Sequence, residues 1–161
     1  MAKKISIIMG SKSDLETVQP AIDLLKKFRV GFEVKVLSAH RTPEELERYI
    51  AGAVAAGTGA FIAAAGGSAA LAGVVASHTI VPVIGIPVET RSLKGLDSLL
   101  STVQMPPGVP VASMAIGKAG AGNAALFALE ILAGSDSRIR SALLKYRRGM
   151  RLKIKKIKIK I

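Results

Sequence analysis

Residues 36–45, VLSAHRTPEE, contain the transition that decides the predicted fold, because an apolar strand changes into a helix there within a few residues. Thr42 and Glu45 have the spacing of a capping box, and the proline between them suits the first position of a helix. A helix is therefore expected to begin immediately after Arg41. His40 and Arg41, at the turn itself, form an adjacent pair that could handle a proton and an anion together.

Apolar segments typical of strands alternate with segments of helical spacing along the chain. The predicted strands are residues 5–9, 32–37, 60–65, 81–88 and 109–116. Several are apolar at nearly every position, as strands buried on both faces of a parallel sheet are, while helical spacing marks the segments 15–28 and 43–55. This alternation predicts an α/β fold, an open parallel sheet with helices on both faces, in which ligands bind beyond the carboxyl ends of the strands.

Two later segments complete the predicted order of elements. The segment 89–108 contains Gly95 and the run Pro106-Pro107-Gly108 on either side of a short apolar piece. It is interpreted as a long functional or interface loop. The segment 124–133 is predicted to be a strong helix that stops near Gly134, and a final basic helix is expected around residues 139–146.

The composition indicates one ordinary domain. The chain has 161 residues, of which half are apolar and only 4% aromatic, so small aliphatic side chains must fill the core. No apolar segment approaches the length that spans a bilayer, and the amino-terminal segment is interpreted as a first strand and not as a signal peptide. The absence of cysteine excludes disulfides, thiolate metal sites and a cysteine nucleophile, and it fits a cytoplasmic protein.

The net charge of +12 belongs mainly to the end of the chain. Of the 23 Lys and Arg residues, 9 lie in residues 145–161, where there is no acid, which leaves 14 basic residues against 11 acidic ones. We therefore divide the chain into a catalytic domain, residues 1–146, and a basic tail, residues 147–161. The tail is expected to be a frayed extension or to pair with another subunit. RNA or an anionic membrane is the alternative partner, but nucleic acid is unlikely because no aromatic side chains are interleaved to stack on bases.

The first candidate loop, MGSKSD at residues 9–14, joins the first strand to the first helix. Gly10 is expected to permit a sharp turn, after which backbone amides and the hydroxyls of Ser11 and Ser13 could hold a phosphate. The alternative is that Ser13 or Asp14 only caps the helix. The loop matches neither the Walker motif nor the dinucleotide fingerprint.

The other two loops follow the second and third strands. In the second, an imidazole can exchange a proton near neutral pH and a guanidinium can bind a phosphate or carboxylate; the alternative is a His40 that bonds the turn and a solvated Arg41. In the third, Gly66 and Gly67 could let a flat ligand approach the backbone, with Ser68 capping the next helix; the alternative is a simple tight turn. His78, at the far end of that helix, is interpreted as structural.

Several motifs recur together in one order: GSKSD (10–14), SAHRTP (38–43), GG (66–67) with Gly73, GLDSL (95–99), QMPPG (104–108) and AIGKAGAGNAA (115–125). Together they resemble the N5-carboxyaminoimidazole ribonucleotide mutase family of purine biosynthesis, over residues 3–134. The resemblance implies a three-layer, flavodoxin-like α/β fold and a homo-octamer with sites at subunit junctions. It also implies movement of a carboxylate from the exocyclic nitrogen to the ring carbon of an aminoimidazole nucleotide, without a metal or organic cofactor.

The resemblance also assigns roles to residues of this chain. It makes His40 the general acid and base, and it implies that the other site residues bind the substrate: Ser11, Asp14 and Arg41 hold the ribose phosphate portion, Ser38 contacts the substrate, and Gly66, Gly67, Ser68, Ala69 and Leu71 lie around the imidazole and carbon dioxide. A positioned proton carrier of this kind typically contributes about a hundred- to ten thousand-fold.

One loop departs from the mutase pattern. Many mutases have Ala-Ala-His-Leu-Pro-Gly in the third loop, whereas residues 69–73 here read AALAG, without the His and the Pro. This loop is closer to the related carboxylases, which use free carbon dioxide on the unsubstituted nucleotide, while the segments 104–108 and 115–125 resemble the mutase. The leading hypothesis is therefore a mutase, with a carboxylase as the alternative and a nucleotide- or RNA-binding module as the less likely third.

Overall fold

The computed structural model describes residues 3–159, which form five strands and six α-helices in alternation. In chain order the elements are β1 (Lys4–Met9), α1 (Leu15–Phe28), β2 (Phe32–Val36), α2 (Pro43–Ala55), β3 (Thr58–Gly66), α3 (Leu71–Ser77), β4 (Val83–Val88), α4 (Leu96–Val103), β5 (Ala112–Ser113), α5 (Gly117–Ala133) and α6 (Ser137–Lys155). All strand pairs are parallel, and the order across the sheet is β2-β1-β3-β4-β5. This is the flavodoxin-like order, so the predicted fold is confirmed.

Helices cover both faces of the sheet because alternate residues of its strands point to opposite sides. In β1, Ile5 and Ile7 belong to a core shared with α1, α5 and α6, whereas Ile8 belongs to a second core with α2 and α3. Ser6 also points to the second face, where its hydroxyl bonds the Tyr49 hydroxyl at 2.6 Å. The result is a three-layer arrangement.

The predicted loop at residues 89–108 is wrong in its centre, because residues 96–103 form α4. The apolar residues of α4 have helical spacing but lie on its exposed side, and its buried positions are Ser98 and Thr102. The spacing is therefore compatible with a helix, but it does not show that the buried face of this helix is polar. Nearby, β5 is limited to Ala112–Ser113, which is much shorter than predicted.

The last helix is longer than predicted. The Asp136 carboxylate caps it by accepting hydrogen bonds from the backbone N–H groups of Arg138 (2.9 Å) and Ile139 (3.1 Å), and it continues to Lys155. It continues without a break across residues 146 and 147, the predicted boundary between domain and tail. The boundary itself stays a prediction. Residues 151–159 are exposed, and residues 160–161 of the predicted tail lie outside the described residues.

Among residues 3–159, no helix is both long enough and apolar enough to cross a bilayer.

Candidate active site

A cavity of about 400 Å³ lies beyond the carboxyl ends of β1, β2 and β3. In the sheet order, β1 is the point from which the chain proceeds in opposite directions, and such switch points form ligand crevices in open α/β sheets. Its lining comes from the three predicted loops: Gly10, Ser11, Ser13, Asp14, Ser38, Ala39, His40, Arg41, Ala65, Gly66, Ser68, Ala70 and Leu71. The structure therefore brings all three loops together at one rim.

Most of the predicted site residues line this cavity, and two do not. Gly67 and Ala69 belong to the third loop but are absent from the cavity wall, and Ala69 is buried. Sequence reasoning had not singled out Ala39 or Ala65 as wall residues. Small side chains beside a motif carry no chemical signal, so only their position after β2 and within β3 identifies them.

The first loop combines a helix cap with a cavity wall. Ser11 Oγ accepts hydrogen bonds from the Ser13 backbone N–H (3.3 Å) and from Ser13 Oγ (2.9 Å), and Asp14 Oδ2 accepts one from the Ser11 N–H at 3.0 Å. This reciprocal capping box opens a short 3₁₀ turn, Lys12–Asp14, ahead of α1. The chain bends at Gly10, but Gly10 is not in the left-handed region, and a Cβ added there would have its nearest neighbours at 3.8 Å, so the bend does not depend on glycine.

The Asp14 carboxyl is 7% exposed at the edge of the cavity. Burial raises its pKa above the ordinary value of 3.8, and this effect outweighs the opposing hydrogen bonds from Ser11 and Ser13 and the charge of Arg41. The loop therefore holds a carboxylate in a site that disfavours its charge, which is common where a side chain is kept for binding or catalysis.

The second loop is closed by hydrogen bonds other than the predicted capping box. Thr42 Oγ1 accepts from the Ser38 N–H at 2.9 Å and donates to the Ser38 carbonyl at 3.1 Å, so it does not cap α2. Arg41 donates from Nη2 to the Gly10 carbonyl (2.9 Å) and from Nε to Ser38 Oγ (3.3 Å). The guanidinium thus ties the second loop to the first, across the cavity.

His40 stands between these anchors and is exposed at the cavity wall. Among the described residues, the bonds that close the turn come from Ser38, Arg41 and Thr42. The imidazole is therefore not used to hold the turn, contrary to the alternative considered from sequence.

The third loop is held from behind by α4. The Gly67 N–H donates to Ser98 Oγ at 2.9 Å, and Ser101 Oγ donates to the Gly67 carbonyl at 3.3 Å. Gly67 has a φ of +68°, in the left-handed region, which favours glycine there. Ser68 does not cap α3, whose N-cap position is occupied by Ala70.

His78 lies away from this cavity. It ends α3 at the opposite edge of the sheet, and its Nδ1 is 3.9 Å from Glu47 Oε1. It lines a separate cavity together with residues such as Ile80 and Pro110. Within residues 3–159, no group of three or more His, Cys, Asp or Glu side chains is arranged to hold a metal ion.

Comparison with known proteins agrees with the resemblance found in the motifs. A family model described as AIR carboxylase matches residues 4–153. A Pyrococcus abyssi protein named N5-carboxyaminoimidazole ribonucleotide mutase is 53% identical over 92% of this chain and 84% of its own length. A Pseudomonas aeruginosa protein of the same name is 50% identical over 91% of this chain and 90% of its own length.

A solved structure is similar throughout. The crystal structure of Treponema denticola PurE matches with a TM-score of 0.86 and 28% identity, over 94% of each chain. The sequence matches and the fold cover the whole of the cavity and its three loops. The chain therefore belongs to the AIR carboxylase family, together with relatives that carry the N5-carboxyaminoimidazole ribonucleotide mutase name.

Proposed function

We propose that this chain is an N5-carboxyaminoimidazole ribonucleotide mutase, an isomerase of purine biosynthesis. The observation that carries the proposal is the single cavity in which His40 and Arg41 lie with the capped Ser11–Asp14 loop and the Gly66 loop. The relatives with the mutase name, at about half identity over most of the chain, support the same activity.

The first two loops suit the ribose phosphate end of the substrate. Arg41 uses Nε and Nη2 on the protein, which leaves Nη1 to bind a phosphate oxygen. The Ser11 and Ser38 hydroxyls, both at the cavity, can donate to other oxygens. The Asp14 carboxylate is a hydrogen-bond acceptor, so it fits a ribose hydroxyl better than a phosphate.

His40 is the proposed proton carrier. When the bond between the exocyclic nitrogen and its carboxylate breaks, its electron pair stays on nitrogen, which takes a proton from the imidazolium and releases carbon dioxide. The ring carbon then attacks the carbon dioxide, and its own proton returns to the imidazole. Protons balance over the cycle, so a single exposed imidazole serves both steps without an added acid or base.

The third loop is proposed to keep the carbon dioxide against the ring. Ala70 and Leu71 give this wall an apolar surface, and Gly66 allows the ring to approach the backbone. Held in this way, carbon dioxide reacts at a high effective concentration and does not diffuse away. Gly67, Ser68 and Ala69 complete the proposed substrate loop.

The alternative is an aminoimidazole ribonucleotide carboxylase, which shares the same site. The observation in its favour is the sequence AALAG at residues 69–73, which lacks the usual mutase His and Pro. A steady-state assay with each of the two nucleotides, with and without bicarbonate, separates the two activities. A mutase converts the nitrogen-carboxylated nucleotide without bicarbonate, whereas a carboxylase needs bicarbonate and leaves that nucleotide unused.

We also propose a homo-oligomer, an octamer by family resemblance, in the cytoplasm. The support in this chain is the outer face of α4, where Leu96, Leu100 and Val103 are 51%, 48% and 50% exposed at helical spacing. An apolar helical stripe exposed on a single chain is typical of a surface that another subunit covers. Sedimentation velocity measures the assembly directly, and a monomer would contradict it.

A further inference from the structure

The buried face of helix α4 is polar. Ser98 is fully buried and Thr102 is 3% exposed, while Leu96, Leu100 and Val103 face outward. A buried hydroxyl costs free energy unless it is hydrogen-bonded, so each of these groups needs a partner. The partner of Thr102 is local, since its hydroxyl donates to the Ser98 carbonyl at 2.7 Å within the same helix.

The partners of Ser98 lie outside the helix. Its hydroxyl donates to the Val88 carbonyl at 2.7 Å, at the end of β4, and accepts from the Gly67 N–H at 2.9 Å. Ser101, one turn of the helix away, donates to the Gly67 carbonyl at 3.3 Å. Both backbone polar groups of Gly67 are therefore held by α4.

Ser98 is itself fixed at the start of its helix. Its N–H donates to Asp97 Oδ1 at 2.9 Å, and the Thr90 hydroxyl donates to the same oxygen at 2.8 Å. The connection from β4 through Thr90 to α4 is thus bonded at both ends. This leaves Ser98 little freedom to follow a movement of Gly67.

Gly67 lies between Gly66 and Ser68, which both line the cavity, but neither Gly67 nor Ser98 does. We propose that Ser98 is a positioning residue, which fixes the wall formed by residues 66–71 through Gly67 and so retains the carbon dioxide released in the reaction. This inference rests on the proposed mutase function. Loosening the wall should let carbon dioxide escape before the ring carbon attacks it, which leaves the unsubstituted nucleotide as a side product.

The test compares Ser98→Ala with Thr102→Val in the full chain. Both remove a buried α4 hydroxyl, but only the first removes a bond to the site loop. For Ser98→Ala we expect kcat to fall about tenfold or more, with KM nearly unchanged because the ribose phosphate end is held by other loops. The fraction of enzyme-dependent turnovers that end as unsubstituted nucleotide and carbon dioxide should rise in Ser98→Ala and not in Thr102→Val.

Amide hydrogen exchange gives a readout that needs no activity. In Ser98→Ala the exchange of the peptide containing Gly67 should become about tenfold faster, as expected for the loss of one buried hydrogen bond, and Thr102→Val should leave it unchanged. Should Ser98→Ala fail to fold, the exposed Ser101→Ala removes the second bond to Gly67, and a smaller change in the same two readouts is expected.

Equal product partition and equal exchange in the two α4 variants would overturn the inference. If the wild-type chain converts neither nucleotide, the proposed function fails, but the exchange of Gly67 still decides whether Ser98 holds the loop. The two failures are therefore distinguishable.

Discussion

At the scale of single residues, two neighbours in the sequence differ in what they do. Arg41 donates hydrogen bonds from two of its nitrogen atoms to Gly10 and Ser38, which supports the site. Its third nitrogen atom, Nη1, can bind an anion. His40 is exposed beside it and takes no part in the bonds that close the turn. The imidazole is thus the group most easily replaced without disturbing the loop.

His40→Asn should lower turnover of the nitrogen-carboxylated nucleotide by about a hundred- to ten thousand-fold, because the proton carrier is lost. Binding of the product nucleotide, measured by calorimetry, should change little since the anion-binding groups remain. The matched control is His78→Asn, which replaces the other histidine of the chain, far from the cavity. Near-normal turnover in His40→Asn would rule out the proton-carrier role.

Asp14 has a raised pKa, so its charge costs stability in the folded protein. The protonated form is favoured in the folded state, and the stability this contributes at low pH is lost as the pH rises through the folded-state pKa. Asp14→Asn should therefore raise the melting temperature near neutral pH. The gain should shrink as the pH falls through the raised folded-state pKa of Asp14, because the wild-type carboxyl also becomes neutral there.

Calorimetric melting curves of the wild-type protein and Asp14→Asn over this pH range show whether the substitution raises or lowers the melting temperature. Glu16→Gln is the contrasting variant, because the hydrogen bond from Lys118 lowers the pKa of the exposed Glu16 carboxyl. It should give no gain at neutral pH. Substrate binding should weaken in Asp14→Asn, so that stability and function change in opposite directions. A lower melting temperature for Asp14→Asn at neutral pH would contradict the assignment.

At the scale of elements, α4 is the part of residues 89–108 that departs from the predicted loop. Its apolar residues follow helical spacing but face away from this chain, and its buried positions are Ser98 and Thr102. Apolar residues at helical spacing indicate a helix, but they also predict that the apolar face is the buried one, whereas α4 packs through hydroxyls. The capping box predicted at Thr42 is wrong, because the Thr42 hydroxyl bonds the Ser38 backbone instead.

The packing of α4 against β4 depends on Gly85. An alanine Cβ at this position would overlap Thr102 Cγ2 and lie 3.2 Å from Val111 Cγ1. Thr102 cannot easily turn aside because its hydroxyl is bonded to Ser98. Gly85→Ala should therefore lower the free energy of unfolding by about 1–3 kcal/mol.

Urea unfolding at a fixed protein concentration measures this cost. Gly52→Ala is the matched control, since Gly52 lies in α2 with no atom within 4 Å of the added Cβ. The same change there should be neutral or stabilising, by up to about 1 kcal/mol. An equal effect at the two glycines would show that α4 adjusts its position at little cost.

At the scale of the whole molecule, the end of α6 differs from the rest of the chain. Ile139 and Leu143 bury the helix against the body, and Arg147 reaches Glu130 at 2.5 Å, but residues 151–159 are exposed. We expect a chain that ends after Met150 to keep its turnover and melting temperature, because the described part of the deleted segment, residues 151–159, is exposed throughout. Steady-state assays and melting curves measure these two properties, and sedimentation velocity measures the assembly.

A chain that ends after Asp136 is the comparison, and it should be strongly destabilised because it loses Ile139 and Leu143. Loss of assembly on truncation after Met150 would mean that residues 151–161 join subunits. Loss of turnover with assembly intact would mean that the tail acts in the reaction, contrary to the expectation of a frayed extension or a segment that pairs with another subunit.

The parallel α/β fold, the three loops of the cavity and the family are all predictable from the order of residues along the chain. Strands buried on both faces are apolar throughout, and loops that follow parallel strands must emerge at one edge of the sheet, so local pattern was sufficient. The motifs of the chain also singled out His40 and Arg41 before their surroundings were known.

Only the tertiary structure decided how those loops are held. The bonds from Arg41 to Gly10 and from Ser98 to Gly67 join segments that are 31 residues apart in each case. Each partner is a backbone group, which every residue carries, so no residue type in the sequence marks it. Ser98 of α4 becomes buried, and comes to support the wall of the cavity next to Gly67, only through packing that exists after the chain has folded.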